Sequence, residues 1–293
     1  MRGQDIMKQL EVFPGSRRLV EGEVPPASLF LMGPSGIGKT IFSKHFIYNG
    51  LVNGETGIYL STDESPKRIQ ESMKKIGMNV DAYIENENLR IIDCYSWKIG
   101  GKSCSKYCVN NPDNLATVSM AIDKARRNLK RTRLVLDSIT GLMSFCDHNL
   151  KFFSKFLQVI VAQTRDTESN ALFLASSEAH ERVFTSYMRE IFDGTLEMKM
   201  ETKTSESGEE IKRLMRLFSL KGAKHKTQWV VFEITNNGII MKSEKEFRCV
   251  MCSRRIDWDP ILEIIGGKQY SFDSTECATT YKTLKALYGE SFE

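Results

Sequence analysis

Residues 29–42 read LFLMGPSGIGKTIF: an apolar run, a glycine-rich turn carrying one lysine and one threonine, and a second apolar run. A strand that ends in glycines and passes straight into a helix can curl its backbone until successive N–H groups point at an anion. The helix N-terminus adds positive potential at the same place. Gly33, Gly38, Lys39 and Thr40 meet the spacing G-x-x-x-x-G-K-[ST], with Pro34, Ser35, Gly36 and Ile37 forming the turn between them. In this register Lys39 is expected to neutralise the outer phosphates of a nucleoside triphosphate, and the Thr40 hydroxyl to coordinate Mg²⁺.

Outward from this stretch, short apolar runs alternate with longer segments of helical period. SLFLM, GIYLST, LRIIDC, RLVLDS and ALFLASS read as buried strands, and helices are expected near 39–51, 66–76, 113–130 and 149–167. Ser65 before Pro66 is a helix start, with a capping side chain and a ring at the first helical position. The alternation predicts an α/β fold with a mostly parallel sheet and helices on both faces. After residue 190 the pattern turns to strands joined by turns: GTLEMKMET, IKRLMRLFSL, QWVVFEI and GIIMKS, with KTSESGEE as a polar hairpin tip. These predict antiparallel strands that continue the sheet.

RLVLDS supplies the acid that a Mg-triphosphate site needs. An apolar strand ending in Asp137 matches a Walker B aspartate, which holds Mg²⁺ beside Thr40.

The chain has 293 residues, 41% of them hydrophobic and 27% charged, with a net charge of +4, which excludes a disordered chain and permits nucleic-acid contact without implying it. No export signal and no membrane-spanning run is read, so a cytoplasmic protein is expected. Seven cysteines then argue for thiols or a metal site over a disulfide framework. Cys94, Cys104, Cys108 and Cys146 read as free thiols.

Taken together, MGPSGIGKT, GIYLSTDES, LRIIDCYS, RLVLDSITGL and KGAKH…FEIT resemble the KaiC-like branch of the RecA-type ATPases over roughly residues 15–242. The resemblance implies a RecA-like fold, ATP bound with Mg²⁺ at subunit boundaries, and a homo-oligomer that is often a hexameric ring. It also implies two adjacent carboxylates that activate the attacking water, here Asp63 and Glu64. The first is usually Glu, and a shortfall of about an ångström at such a site can cost on the order of a hundredfold in rate. A K-x-R-G-x-x-H block that reaches into the neighbouring subunit's ATP corresponds here to Ser219, Lys221, Gly222 and His225, with one cation lost and the arginine replaced by lysine. Lysine cannot make a forked contact, so ATP binding with slow hydrolysis is expected. Ser176, Ser177 or Glu178 stands where such proteins sense the γ-phosphate.

A composition shift near residue 245 divides the chain into an ATP-binding domain, 1–245, and a small module, 246–293. Cys249 and Cys252 form C-x-x-C, whose thiolates can grip one Zn²⁺, and Cys277 follows after a Gly266-Gly267 turn and before a short terminal helix. So short a segment can hardly fold by core burial alone. The tail resembles the TRASH and YHS zinc modules, with Asp273 where their third cysteine stands, and the resemblance implies Cys249, Cys252, Asp273 and Cys277 as ligands.

Three functions follow as expectations. The first is an ATP-controlled switch with a signalling protein partner. The second is a RadB-like DNA-binding recombinase paralogue, for which the basic run DKARRNLKRTR would be the contact, although it carries no aromatic residue to stack bases. The third is an ATP-bound scaffold without turnover.

Overall fold

Side chains alternate along a strand, so a sheet buried on both faces needs apolar residues at successive positions. The computed structural model of the protein shows this arrangement. It describes residues 11–101, 103, 105–146, 150–180, 182–205, 208–242, 247–256 and 260–288.

A short helix α1 (Ser16–Leu19) precedes β1 (Ser28–Gly33), and the glycine loop leads into α2 (Lys39–Val52). Next come β2 (Thr56–Ser61), α3 (Pro66–Lys75), α4 (Asp81–Glu85), β3 (Leu89–Asp93), α5 (Tyr95–Lys98) and a short β4 (Tyr107–Cys108). They are followed by α6 (Leu115–Arg126), β5 (Thr132–Asp137), α7 (Ile139–Ser144), α8 (Leu150–Asp166), β6 (Asn170–Ser176) and α9 (Arg182–Ile191). The strands β7 (Gly194–Ser205), β8 (Gly208–Leu220), β9 (Val230–Thr235) and β10 (Gly238–Met241) complete one ten-stranded sheet, ordered β10-β9-β8-β7-β1-β6-β5-β2-β3-β4. From β7 to β4 every pairing is parallel, and from β7 to β10 every pairing is antiparallel, as expected.

Leu29 and Leu31 of β1 join Phe42 and Phe46 of α2 on one face, while Phe30 joins Phe153 of α8 and Phe192 on the other. The parallel strands end at one edge, where Gly33 lies opposite Ser176 and Ser61 opposite Asp137. Ligands of open α/β sheets bind outside such carboxyl ends.

Three expectations change. The helix expected over 113–130 stops at Arg126, and Asn128 follows in a left-handed conformation (φ 63°) that ends it. The basic run 123–133 is therefore not one helical face: Arg126 donates to Gln163 and Thr164, and Arg133 is buried in β5. Lys124, Arg127, Lys130 and Arg131 remain exposed. The third concerns the β7–β8 hairpin, whose pairing continues to Ser205 and Gly208, so most of KTSESGEE is strand; within it residues 206–207 lie outside the described residues, as does Cys104 among the expected free thiols. Backbone pairing needs no apolar side chains, which is why a polar segment can extend a ladder.

Arg133 shows how tightly one face is closed. Its guanidinium grips Glu55 through Nε (2.8 Å) and Nη2 (3.2 Å) and donates through Nη1 to the carbonyls of Phe46 (2.9 Å) and Val12 (2.5 Å). A Cβ on Gly50 would land on this immobilised stem, 2.8 Å from Cγ and closer still to Cδ. Gly50→Ala is therefore expected to destabilise the protein by about 3 kcal/mol through overpacking, read as a lowered urea midpoint with unchanged slope.

The tail has its own small core: Cys249, Ile256, Phe272, Ala278 and Tyr281. Paired strands β11 (Phe247–Arg248) and β12 (Arg255–Ile256), a hairpin of β13 (Ile261–Ile265) and β14 (Lys268–Phe272) closed by Gly266-Gly267, and α10 (Thr275–Tyr288) surround it.

Candidate functional site

The loop glycines take backbone shapes that other residues avoid: Gly36 has φ 73° and Gly38 φ 113°, and a Cβ on Gly38 would strike Ile234 Cδ1 at 2.6 Å. Lys39 opens α2 and folds back over the loop, donating to the carbonyls of Gly33 (2.8 Å) and Pro34 (2.7 Å). Burial lowers its pKa, and the charges of Asp137 and Glu178 pull it back up. Glu178 reaches the loop directly, its carboxylate accepting from the Ser35 N–H at 3.3 Å, while the Ser176 N–H donates to Thr140 Oγ1 at 3.1 Å. Of the three expected γ-phosphate sensors, Glu178 is the one whose side chain touches the loop.

Asp137 ends β5 as expected and is buried, which raises its pKa, while hydrogen bonds from Tyr59 and Thr40 and the charge of Lys44 work the other way. Thr40, at the start of α2, and Asp137, at the end of β5, thus act on one another electrostatically at the carboxyl edge of the sheet.

Thr62 stitches the ends of β2 and β5, its N–H donating to the Asp137 carbonyl (2.8 Å) and its hydroxyl accepting from the Ser138 N–H (3.0 Å). This brings the next residue, Asp63, within 3.4 Å of Ser138 Oγ, and its charge is among those that raise the Asp137 pKa. Asp63 pairs with Lys98 at 3.0 Å and remains 52% exposed. Glu64 points elsewhere. It accepts from Lys44 Nζ at 2.6 Å, and Lys44, only 4% exposed, also donates to Ser72 at 2.7 Å. The adjacent carboxylates therefore sit in different surroundings, one open beside Asp137 and one neutralising a buried ammonium.

Lys221 and His225 make contacts within their own chain. Lys221 Nζ donates to the carbonyls of Phe192 (2.9 Å) and Glu190 (3.5 Å) at the end of α9, and His225 Nδ1 lies 3.1 Å from the Ala223 carbonyl. Ser219 lies on β8 opposite Thr195, and Gly222 follows in the turn after β8.

In the tail, one ligand atom from each of Cys249, Cys252, Asp273 and Cys277 lies within 4.8 Å of the others. The Cys249–Ser253 turn (N–H to carbonyl, 2.8 Å) presents the first two, and Ser274 caps the Cys277 N–H at 3.1 Å where α10 begins. Cys252 Sγ donates to Asp273 Oδ2 at 3.2 Å, whereas Asp273 Oδ1 is buried with no hydrogen-bond partner. The Asp273 carboxylate, with burial behind it, pushes the Cys277 thiol up to about 12. Burial opposes ionisation of Asp273, but the neighbouring thiols of Cys277, Cys252 and Cys249 outweigh it and lower its pKa. An orphaned buried carboxylate oxygen among three thiols is a donor set that suits a tetrahedral Zn²⁺, which would displace the thiol protons. Among the described residues this is the one such cluster.

Sequence reasoning missed Tyr59, Ser43, Lys44 and Lys98 as partners of the predicted residues. Only Tyr59 carried a signal, a tyrosine within the apolar run GIYLST, and it did not reveal its partner, because the adjacency of β2 and β5 is set by the tertiary structure.

The strand order, the glycine loop and the Thr40–Asp137 pair define a RecA-like P-loop nucleotide-binding protein. A family model described as "ATPase: KaiC" matches residues 17–246, and the chain belongs to this family of KaiC-like ATPases, which implies use of ATP and Mg²⁺. A UPF0273 protein of Thermotoga maritima is 29% identical over 231 residues, covering 78% of this chain and 93% of its own. Another from Pyrococcus horikoshii is 28% identical over 235 residues, covering 79% and 92%. The crystal structure of a KaiC-like protein from Pyrococcus horikoshii shares the fold, with a TM-score of 0.61 and 21% identity over 79% of this chain and 96% of that one. The family match ends before Cys249. No helix among the described residues is long and apolar enough to cross a membrane.

Proposed function

We propose that this chain is a slow Mg-ATPase whose nucleotide state governs its association with further copies of itself, in a ring of the hexameric kind, and with a protein partner in signalling. The observation that carries the reading is Lys39 folded over the glycine loop onto the Gly33 and Pro34 carbonyls, with the buried Asp137 at the end of β5 close enough for its charge to act on Lys39. Slow turnover follows from the acids. Asp63 is the candidate base, short by one methylene and paired with Lys98, while Glu64 is committed to Lys44. Lys221, held on the end of α9, would have to release two carbonyls before reaching a neighbour's nucleotide.

Asp63→Asn is expected to slow single-turnover hydrolysis by about a hundredfold without changing ATP affinity, since a positioned general base contributes about that much or more. Glu64→Gln should leave the rate within a few-fold and lower stability by about 2 kcal/mol, because it strands the Lys44 ammonium. Equal rate losses in both variants would return Glu64 to the catalytic machinery.

The switch is tested by measuring ATP binding, turnover and molar mass together in ATP and in ADP. Stoichiometric uptake, a turnover well below about 1 s⁻¹ and a nucleotide-dependent mass support it. Fast turnover at constant mass overturns it, and uptake with no turnover selects a scaffold.

The tail, 246–293, is proposed as a separate structural module holding one Zn²⁺ through Cys249, Cys252, Asp273 and Cys277. Four protein ligands close the coordination sphere, which leaves no position for a reacting water.

A further inference from the structure

Tyr59 is 1% exposed in the middle of β2, packed among Phe42, Phe46 and Val135, where a phenylalanine would satisfy the apolar surroundings. Its hydroxyl instead reaches Asp137 Oδ2 at 2.7 Å and Ser43 Oγ at 2.8 Å, and Ser43 Oγ lies 2.9 Å from the Thr40 carbonyl. The register explains the meeting. Tyr59 lies opposite Val135, and Asp137, two residues further along β5, projects to the same face.

The protons on these hydroxyls can be counted. An ionised Asp137 only accepts, so the single Tyr59 proton goes to Oδ2, and the single Ser43 proton is shared between the Thr40 carbonyl (2.9 Å) and the Tyr59 oxygen (2.8 Å). The chain therefore runs Ser43 to Tyr59 to Asp137, starting one turn beyond Thr40 on α2 and ending at the acid of β5. It ties together the two elements that would hold Mg²⁺, and it engages one oxygen of Asp137, Oδ2. A buried hydroxyl aimed at a carboxylate in an apolar layer costs desolvation that a phenyl ring would avoid.

We propose that Tyr59 is a positioning residue for magnesium: with Ser43 behind it, its hydroxyl fixes the rotamer of Asp137 so that Thr40 and Asp137 present a preformed cation site to Mg-ATP. The inference rests on the Mg-ATP reading above and goes beyond it by assigning a function to a residue on no loop and in no nucleotide motif. Groups that hydrogen-bond to metal ligands commonly govern metal affinity by 10–100-fold.

The test is the Mg²⁺ dependence of binding of a fluorescent ATP analogue to the full chain, comparing wild type with Tyr59→Phe, which keeps the ring and removes only the hydroxyl. The half-saturating Mg²⁺ concentration is expected to rise about tenfold or more, with binding of the analogue in EDTA unchanged. A role confined to packing would lower the melting temperature and leave the Mg²⁺ curve in place, and that result overturns the proposal. Should Tyr59→Phe not fold, Ser43→Ala serves: it removes the hydroxyl behind Tyr59 at an adjacent position, and a several-fold rise is expected, whereas an unshifted curve again overturns the proposal. Wild type without Mg²⁺-dependent binding sinks the Mg-ATP reading itself, and this inference with it.

Discussion

Replacing Lys39 with alanine is expected to weaken Mg-ATP binding by about a hundredfold and to leave the melting temperature within a few degrees of wild type. A hydrogen bond to a charged group contributes up to about 3 kcal/mol, and each 1.4 kcal/mol is tenfold in affinity. The ammonium is already part-desolvated against the carbonyls of Gly33 and Pro34, so it is poised over the loop. When a triphosphate arrives, those neutral acceptors are exchanged for charged ones, and the gain appears only in the bound state. The fold loses little, since Gly36 and Gly38 shape the loop without the lysine. Equilibrium dialysis with Mg-ATP and a thermal melt on the same preparation decide the matter. An affinity within twofold of wild type would refute the site assignment.

Metal removal is expected to have the second large effect, on the proposed zinc site of the tail. Stripping the protein with a strong chelator at neutral pH is expected to unfold residues 247–288 while the sheet domain keeps its melting transition. Structural zinc supplies on the order of 10 kcal/mol of apparent folding energy in small modules. The tail's five-residue core offers far less than ordering a segment of this length costs. Hydrogen exchange should show the amides of β13, β14 and α10 losing protection together, and limited proteolysis should release the tail. Metal analysis should find about one zinc per chain in the native protein and almost none in Cys249→Ser, which removes the buried ligand. Native protein without zinc, combined with a tail that stays protected in chelator, would show that the thiols pack unaided.

The parts legible in advance were those written contiguously. The glycine loop, the Ser65-Pro66 helix start and the apolar runs are local signals, and the structure has Ser65 accepting from the Arg68 N–H as a cap. Five parallel strands were readable because burial on both faces demands unbroken apolar stretches. Short elements such as α5 and β4 were not, since a few residues give no period to detect. The basic run 123–133 reads as one helix, and it is not. Composition shows charge, but not that Asn128 ends the helix or that Arg133 is turned inward to Glu55.

By itself the sequence determined the class of fold, the glycine loop between β1 and α2 and the place of Asp137 at a strand end, because each depends on neighbours within a few residues. Only the tertiary structure decided which side chain each acid meets. Lys44 and Glu64 are 20 residues apart, and Tyr59 and Asp137 are 78 apart. Such partners are chosen by strand register and by which face a side chain takes, and a shift of one residue would have sent Tyr59 to the opposite side of the sheet.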